Sequence, residues 1–185
     1  HWYVWVLYAV LALKWHLYDD FRLVLSGRMG PHTVAPPRGR DLAIFVGGKL
    51  VFWTIAFIVP LLLHPFWVVA SVYVLAAAVT GIVLGTVFQL AHCVEHASFP
   101  IEGSPGQIDN AWAIHQVETT VDFARDSSLA AHLLGGLNYQ VEHHLFPRLC
   151  HVNYRAIAPI VELTCAEFGV RYRHNITLLD ALRSH

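Results

Sequence analysis

The chain has 185 residues, with 12 Lys and Arg against 13 Asp and Glu, a formal net charge of −1 at pH 7. That balance leaves no basic footprint for nucleic acid and no acidic tail, so nucleic-acid binding is set aside. Only 14% of residues are charged and the mean hydropathy is +0.48, which excludes an ordinary soluble domain, where about a quarter of residues carry charge, and points to a membrane protein.

Residues 2–13 form an uncharged run, and Trp2, Tyr3, Trp5, Tyr8, Trp15 and Tyr18 lie in or just beyond it. Twelve residues are too few to span a bilayer. The run reads as an aromatic-rich helix lying at the membrane interface, or as the remnant of a longer helix cut at His1. Ser26–Arg40, rich in Gly and Pro, reads as a loop.

From Leu42 to Ala91 the only charge is Lys49, and the only interruption is Leu63-His64-Pro65-Phe66. The first limb, Leu42–Leu63, covers about 33 Å as a helix, enough for a hydrocarbon core of about 30 Å. The second, Phe66–Ala91, is slightly longer and can tilt. Lys49 is expected to snorkel to the near interface, and a kink at Pro60 is expected to be absorbed by neighbouring groups. His64 reads as a turn residue outside any site. Arg22, Arg28, Arg38 and Arg40 precede the limbs, Arg125, Arg148 and Arg155 follow them, and the turn between them has neither Lys nor Arg. By the positive-inside rule both ends of a transmembrane hairpin are cytoplasmic.

After Phe99-Pro100, a loop with Gly103, Pro105 and Gly106 opens a cytoplasmic region from about Asn110, in which Tyr154–Phe168 reads as an amphipathic helix followed by a short extended tail. The expectation is an all-α integral membrane protein: interfacial helix and loop over 1–41, transmembrane helical hairpin over 42–91, and a cytoplasmic helical metal-binding region over 92–185.

Cys93, Cys150 and Cys165 are odd in number and form no CxxC, so they suggest neither a disulfide framework nor a thiolate metal site. The 13 His outnumber Lys and Arg together, and neutral imidazole is the commonest protein ligand for transition metals. If the second limb stays helical through Gln89-Leu90-Ala91-His92-Cys93-Val94-Glu95-His96, His92 and His96 share a face with Glu95 beside them. The bland alternative is a set of polar residues marking the exit from the bilayer. The second cluster is Asn138-Tyr139-Gln140-Val141-Glu142-His143-His144-Leu145-Phe146-Pro147, in which a helix places Gln140, His143 and His144 on one flank. Glu142 falls off that flank and is expected to be a solvated or outer carboxylate. Together the clusters offer all-nitrogen ligation suited to iron, zinc or copper. His115, His132 and His151 lie nearby in sequence, and His115 is the strongest of these as a weak ligand or neighbour.

The segment from Gly135 to Pro147 resembles the third histidine box, Q-x-x-H-H, of the membrane fatty-acid desaturase family, especially its front-end and bacterial linoleoyl-CoA-type branch. The resemblance extends through His151-Val152-Asn153-Tyr154 and Ala158-Pro159-Ile160-Val161, and back to Phe88-Gln89-Leu90-Ala91-His92. It implies two iron ions at the cytoplasmic membrane face, O2 as co-substrate, a membrane-held fatty-acyl chain on CoA, a carrier protein or a lipid that gains a cis double bond, and electrons from a ferredoxin or cytochrome b5-type donor. It implies His92, His143 and His144 as metal ligands and sets Gln140, as a neighbour or weak ligand, at a box position that is His in other branches; by position alone, His96 is a further candidate ligand and Glu95 and His115 are neighbours or weak ligands. The first box, H-x3-4-H, and the second, H-x2-H-H, do not occur between His1 and Leu90. The resemblance therefore implies a C-terminal fragment lacking those two boxes and inactive by itself. The rival readings are a related di-iron hydroxylase or ketolase, and a non-enzymatic His-rich membrane module for a metal or haem.

Overall fold

The computed structural model describes residues 2–99 and 111–185; the loop expected around Gly103, Pro105 and Gly106 lies outside them. The described chain is mostly helical, as expected for an all-α protein, with two small strand pairings in addition. It divides into two units, residues 1–85 and 86–185.

In the first unit, α1 (Tyr3–Lys14), a π turn (Trp15–Asp19) and α2 (Asp20–Ser26) run on as one helical stretch. It is twice as long as the apolar run suggested, because charge ends an apolar run without ending a helix. Lys14 pairs with Asp19 at 2.6 Å, and Gly27, at φ 60°, closes the stretch by donating its N–H to the Leu23 carbonyl. The Gly/Pro loop carries a two-residue antiparallel pairing of β1 (Arg28–Met29) with β2 (His32–Thr33).

Next come α3 (Arg40–Trp53), a second π turn (Thr54–Ile58) and α4 (Val59–Leu61). The wide turn sits just before Pro60, whose ring would crowd the carbonyl four residues back. Closing the turn from the Val59 N–H to the Thr54 carbonyl takes up the misfit inside the helix itself. Lys49 has its partners among the neighbouring helices. It pairs with Asp20 and lies over the rings of Phe21 and Phe45, so its charge is met within the helices.

The helix α5 (Phe66–His92) is the longest. The stretches Arg40–Leu61 and Phe66–His92 are each long and apolar enough to cross a membrane, within two residues of the expected limbs, with His64 exposed in the turn between them. Gly81 lies directly under α1: a Cβ there would meet the Tyr8 carbonyl oxygen at 2.1 Å. Glycine at this position is what lets the two backbones touch.

The second unit follows the end of α5 with α6 (Trp112–Glu118), β3 (Asp122–Phe123), α7 (Ser128–Leu133), α8 (Gln140–Leu145), a 3-10 turn (His151–Asn153), α9 (Tyr154–Glu167), β4 (His174–Asn175) and α10 (Leu178–Ser184). The expected amphipathic helix is α9, which buries Tyr154, Ala158, Val161 and Cys165, a spacing that keeps one stripe inward. The tail is not merely extended. β4 pairs in parallel with β3, and α10 starts on a capping box in which the Thr177 hydroxyl accepts the Asp180 N–H and Asp180 accepts the Thr177 N–H.

Candidate metal centre

α8 is six residues long, too short to persist alone in water, and its setting holds it in place. Before it, Gly135 and Gly136 take positive φ, and a Cβ on Gly136 would meet the Cβ of His151 at 2.8 Å. Phe123 donates its N–H to the Asn138 carbonyl, the Asn138 amide donates to the Ala124 carbonyl, and the Tyr139 hydroxyl donates to the Arg125 carbonyl. The chain thus enters α8 in a fixed direction.

That entry brings the flank of Gln140 and His144 to the end of α5. The Gln140 amide nitrogen lies 3.2 Å from His92 Nε2 and 3.1 Å from His144 Nε2, one amide hydrogen for each lone pair. The two imidazole rings are 5.1 Å apart, and the ring of His143 lies 5.9 Å from that of His144. The opposite nitrogens are tied back. His144 Nδ1 donates to Gln116 Oε1 at 2.6 Å, His143 Nδ1 bonds the Tyr154 hydroxyl at 3.3 Å, and His92 is hydrogen-bonded to the backbone of Thr119. The Gln116 oxygen, which can only accept, fixes the His144 proton on Nδ1 and turns its Nε2 lone pair to the Gln140 amide, which a metal would displace. Burial, and then the neighbouring rings of His92 and His143, pull the His144 pKa down to about 4, so the ring is neutral at physiological pH.

The other expected participants are placed differently. α5 ends at His92, and Cys93–Ala97 form bends and turns, so the helical spacing of His92 with His96 is not realised. His96 and Glu95 are exposed, and the Glu95 N–H goes to Ser184. His115 is half-buried in α6 with its Nδ1 buried and unpartnered. His132 and His151 are exposed. Glu142 lies off the histidine flank as expected but is not solvated: it is fully buried and accepts from the Tyr172 hydroxyl at 2.9 Å. Sequence reading missed Gln116 and Tyr154, which orient the histidines. Tyr154 stood within the resemblance, and Gln116 is next to His115 on a helix that presents both. Among the described residues, no three His, Cys, Asp or Glu side chains converge closely enough to hold a metal by themselves. The donor set is nitrogen-rich and oriented, a chemistry that fits one wall of an iron site.

Beside α8 is an apolar cavity of about 390 Å³, lined by Leu145 and Phe146 from the histidine segment, Ile114 and Val117 from α6, and Val161 and Cys165 from α9.

Long apolar helices with a histidine cluster at the end of one of them define the class, and comparison with known proteins gives the family. The fatty acid desaturase family model matches residues 1–175, and the chain belongs to that family. It is 44% identical to an acyl-lipid (8-3)-desaturase of Physcomitrium patens, over 100% of this chain and 39% of that protein. It is 37% identical to an sn-1 linoleoyl-lipid 6-desaturase of Synechocystis, over 99% of this chain and 52% of that protein. The corresponding enzyme of Arthrospira platensis is 35% identical, over 100% and 50%. The chain thus spans about half or less of the length of these relatives. No solved structure matches it.

Proposed function

We propose that the whole protein is an integral-membrane, oxygen-dependent desaturase of fatty-acyl chains, with His92, His143 and His144 among the ligands of two iron ions. The observation that carries this reading is the meeting of His92 Nε2 and His144 Nε2 at the Gln140 amide while His144 Nδ1 is tied to Gln116. The Gln140 amide occupies the place where the lone pairs of these two imidazoles meet, and the His143 ring lies 5.9 Å from that of His144. Iron with O2 supplies the oxidising power to take two hydrogens from adjacent carbons of an acyl chain and leave a double bond.

The chain's own residues orient and exclude. Gln116 holds His144 in one tautomer, Tyr154 orients the His143 ring, and Gln140 fills the space between His92 and His144 as a hydrogen-bond donor or weak ligand. His115 stands by with an unpartnered nitrogen, and His96 and Glu95 are outlying candidates on the exposed turn. The apolar cavity beside Leu145 and Phe146 suits a segment of hydrocarbon. Arg40–Leu61 and Phe66–His92 form a transmembrane hairpin that puts the histidine face in the cytoplasm, where a ferredoxin or cytochrome b5-type protein delivers electrons. The organisation is a partial desaturase domain, with an interfacial segment over 1–41, the hairpin over 42–91 and the histidine region over 92–185.

The test uses the whole protein loaded with iron, an electron donor and O2 against a panel of acyl lipids and acyl-CoA. A new double bond in the product, dependent on iron, is the expected result. Hydroxylated product without a double bond would replace desaturation by hydroxylation, and one tight zinc or a haem band in place of iron would replace the enzyme by a binding module.

A further inference from the structure

Outside the histidine face, the densest buried polar cluster is on the back of α8. Asp122, from β3, is fully buried. One of its carboxyl oxygens, Oδ1, accepts the N–H of Val141 at 2.9 Å, in the first turn of α8, where the cap residue Tyr139 offers no side-chain acceptor. The other, Oδ2, lies 2.6 Å from the Tyr172 hydroxyl, which also reaches Glu142 Oε1 at 2.9 Å. The Tyr172 oxygen accepts from Arg125, itself paired with Glu162 at 2.9 Å. At about 100° per residue, Glu142 projects from the side of the helix away from Gln140 and His144. Gripping Val141 and Glu142 therefore sets the roll of the helix that carries the histidines.

We propose that Asp122 is a positioning residue for His143 and His144, holding α8 in rotation and register through Val141 on one oxygen and through Tyr172 and Glu142 on the other. This rests on the reading of the two histidines as metal ligands. One hydroxyl hydrogen on Tyr172 cannot serve two carboxylates, so the contacts close when the Asp122 carboxyl carries a proton and donates to Tyr172, which donates to Glu142. Burial, and then the Glu142 carboxylate, push Asp122 well above the ordinary carboxylate range, in keeping with that arrangement. An amide of the same shape would serve equally: the asparagine side chain of Asp122→Asn would accept from Val141 and donate to Tyr172. Leucine fills the space and does neither.

The experiment compares Asp122→Asn, Asp122→Leu and Tyr172→Phe in the whole protein, purified in detergent. It reads amide hydrogen exchange over residues 140–146 in the metal-free state and the visible spectrum after loading with cobalt(II), which reports ligand geometry. A buried hydrogen bond lost from a short helix should speed exchange by about tenfold or more. Asp122→Leu is expected to do so with α9 unchanged and to alter the cobalt spectrum, while Asp122→Asn keeps both within about twofold of wild type. Equal behaviour of the Asn and Leu variants, or unchanged exchange in the Leu variant, overturns the proposal. If Asp122→Leu fails to fold, Tyr172→Phe decides. Faster exchange over 140–146 in that variant supports the proposal and wild-type exchange overturns it. A wild-type protein that binds no cobalt sinks the metal reading, while the exchange comparison still judges the grip on α8.

Discussion

The two units solve opposite packing problems. In the first, apolar side chains cover the outside of α3 and α5, and the helices touch through a glycine at Gly81 and a charge pair between Lys49 and Asp20. In the second, the interior is polar: all six buried polar or charged side chains among the described residues, Thr120, Asp122, Asn138, Gln140, Glu142 and Asn175, lie there. A helix surrounded by lipid meets its backbone hydrogen bonds internally and needs little else. A site that presents imidazoles in a set direction needs a buried network to aim them; here Asp122, Gln140 and Glu142 find partners, while Asn138 Oδ1, Glu142 Oε2 and Asn175 Nδ2 have none.

The comparison breaks most sharply at the histidines. In the whole protein, His143→Ala or His144→Ala should remove nearly all activity and lower iron content, with helical content by circular dichroism unchanged. Near-normal iron and turnover in both would reduce α8 to a packing element.

Gln140 should be intermediate. As a neighbour of the metal or a weak ligand, its replacement by Ala should cost about 10 to 100-fold in turnover, whereas Gln140→His, which restores an imidazole on the same flank, should retain more activity than Gln140→Ala. Steady-state rates for the pair decide it.

Small-residue substitutions test the units separately. Gly136→Ala combines a positive φ with contact against His151 and should destabilise the second unit by about 2 kcal/mol. Gly81→Ala should loosen α1 from α5 instead. Exchange mapped on each variant should change in one unit only.

The smallest expected effect is on pH dependence in the metal-free protein. His144 titrates near 6.5 when unfolded and near 4 when folded. Between these values only the unfolded chain takes up the proton, so this group lowers stability as pH falls from about 6.5 to about 4. Asp122 acts in the other direction: with its folded pKa raised above the ordinary 3.8, stability falls as pH rises from 3.8. Melting curves across that range should show Asp122→Asn gaining on wild type as pH increases.

Hydropathy located the two long helices within two residues, because a span is a property of a contiguous stretch. The Q-x-x-H-H segment likewise exposed Gln140, His143 and His144, which share one helix flank. What sequence did not show is contact between distant residues. Gln116 and His144 are 28 apart, and Asp122 and Tyr172 are 50 apart; no local period links them. Reading His92 and His96 as a helical pair failed because α5 ends at His92, and the chain there turns to place the Glu95 N–H on Ser184. The helix α10 was foreshadowed by Thr177 and Asp180, a capping box that is visible in sequence once looked for.

The pairing of Lys49 with Asp20 sets an order of events during synthesis. Asp20 leaves the ribosome 29 residues ahead of its partner, an interval of about 1.5–6 s at about 5–20 residues per second. For that time its carboxylate has no ammonium to meet and is best kept in contact with water. Until α3 has been made, the first helical stretch lacks the partner that Lys49 later supplies. An uncharged residue at position 20 would leave Lys49 without its carboxylate once α3 forms.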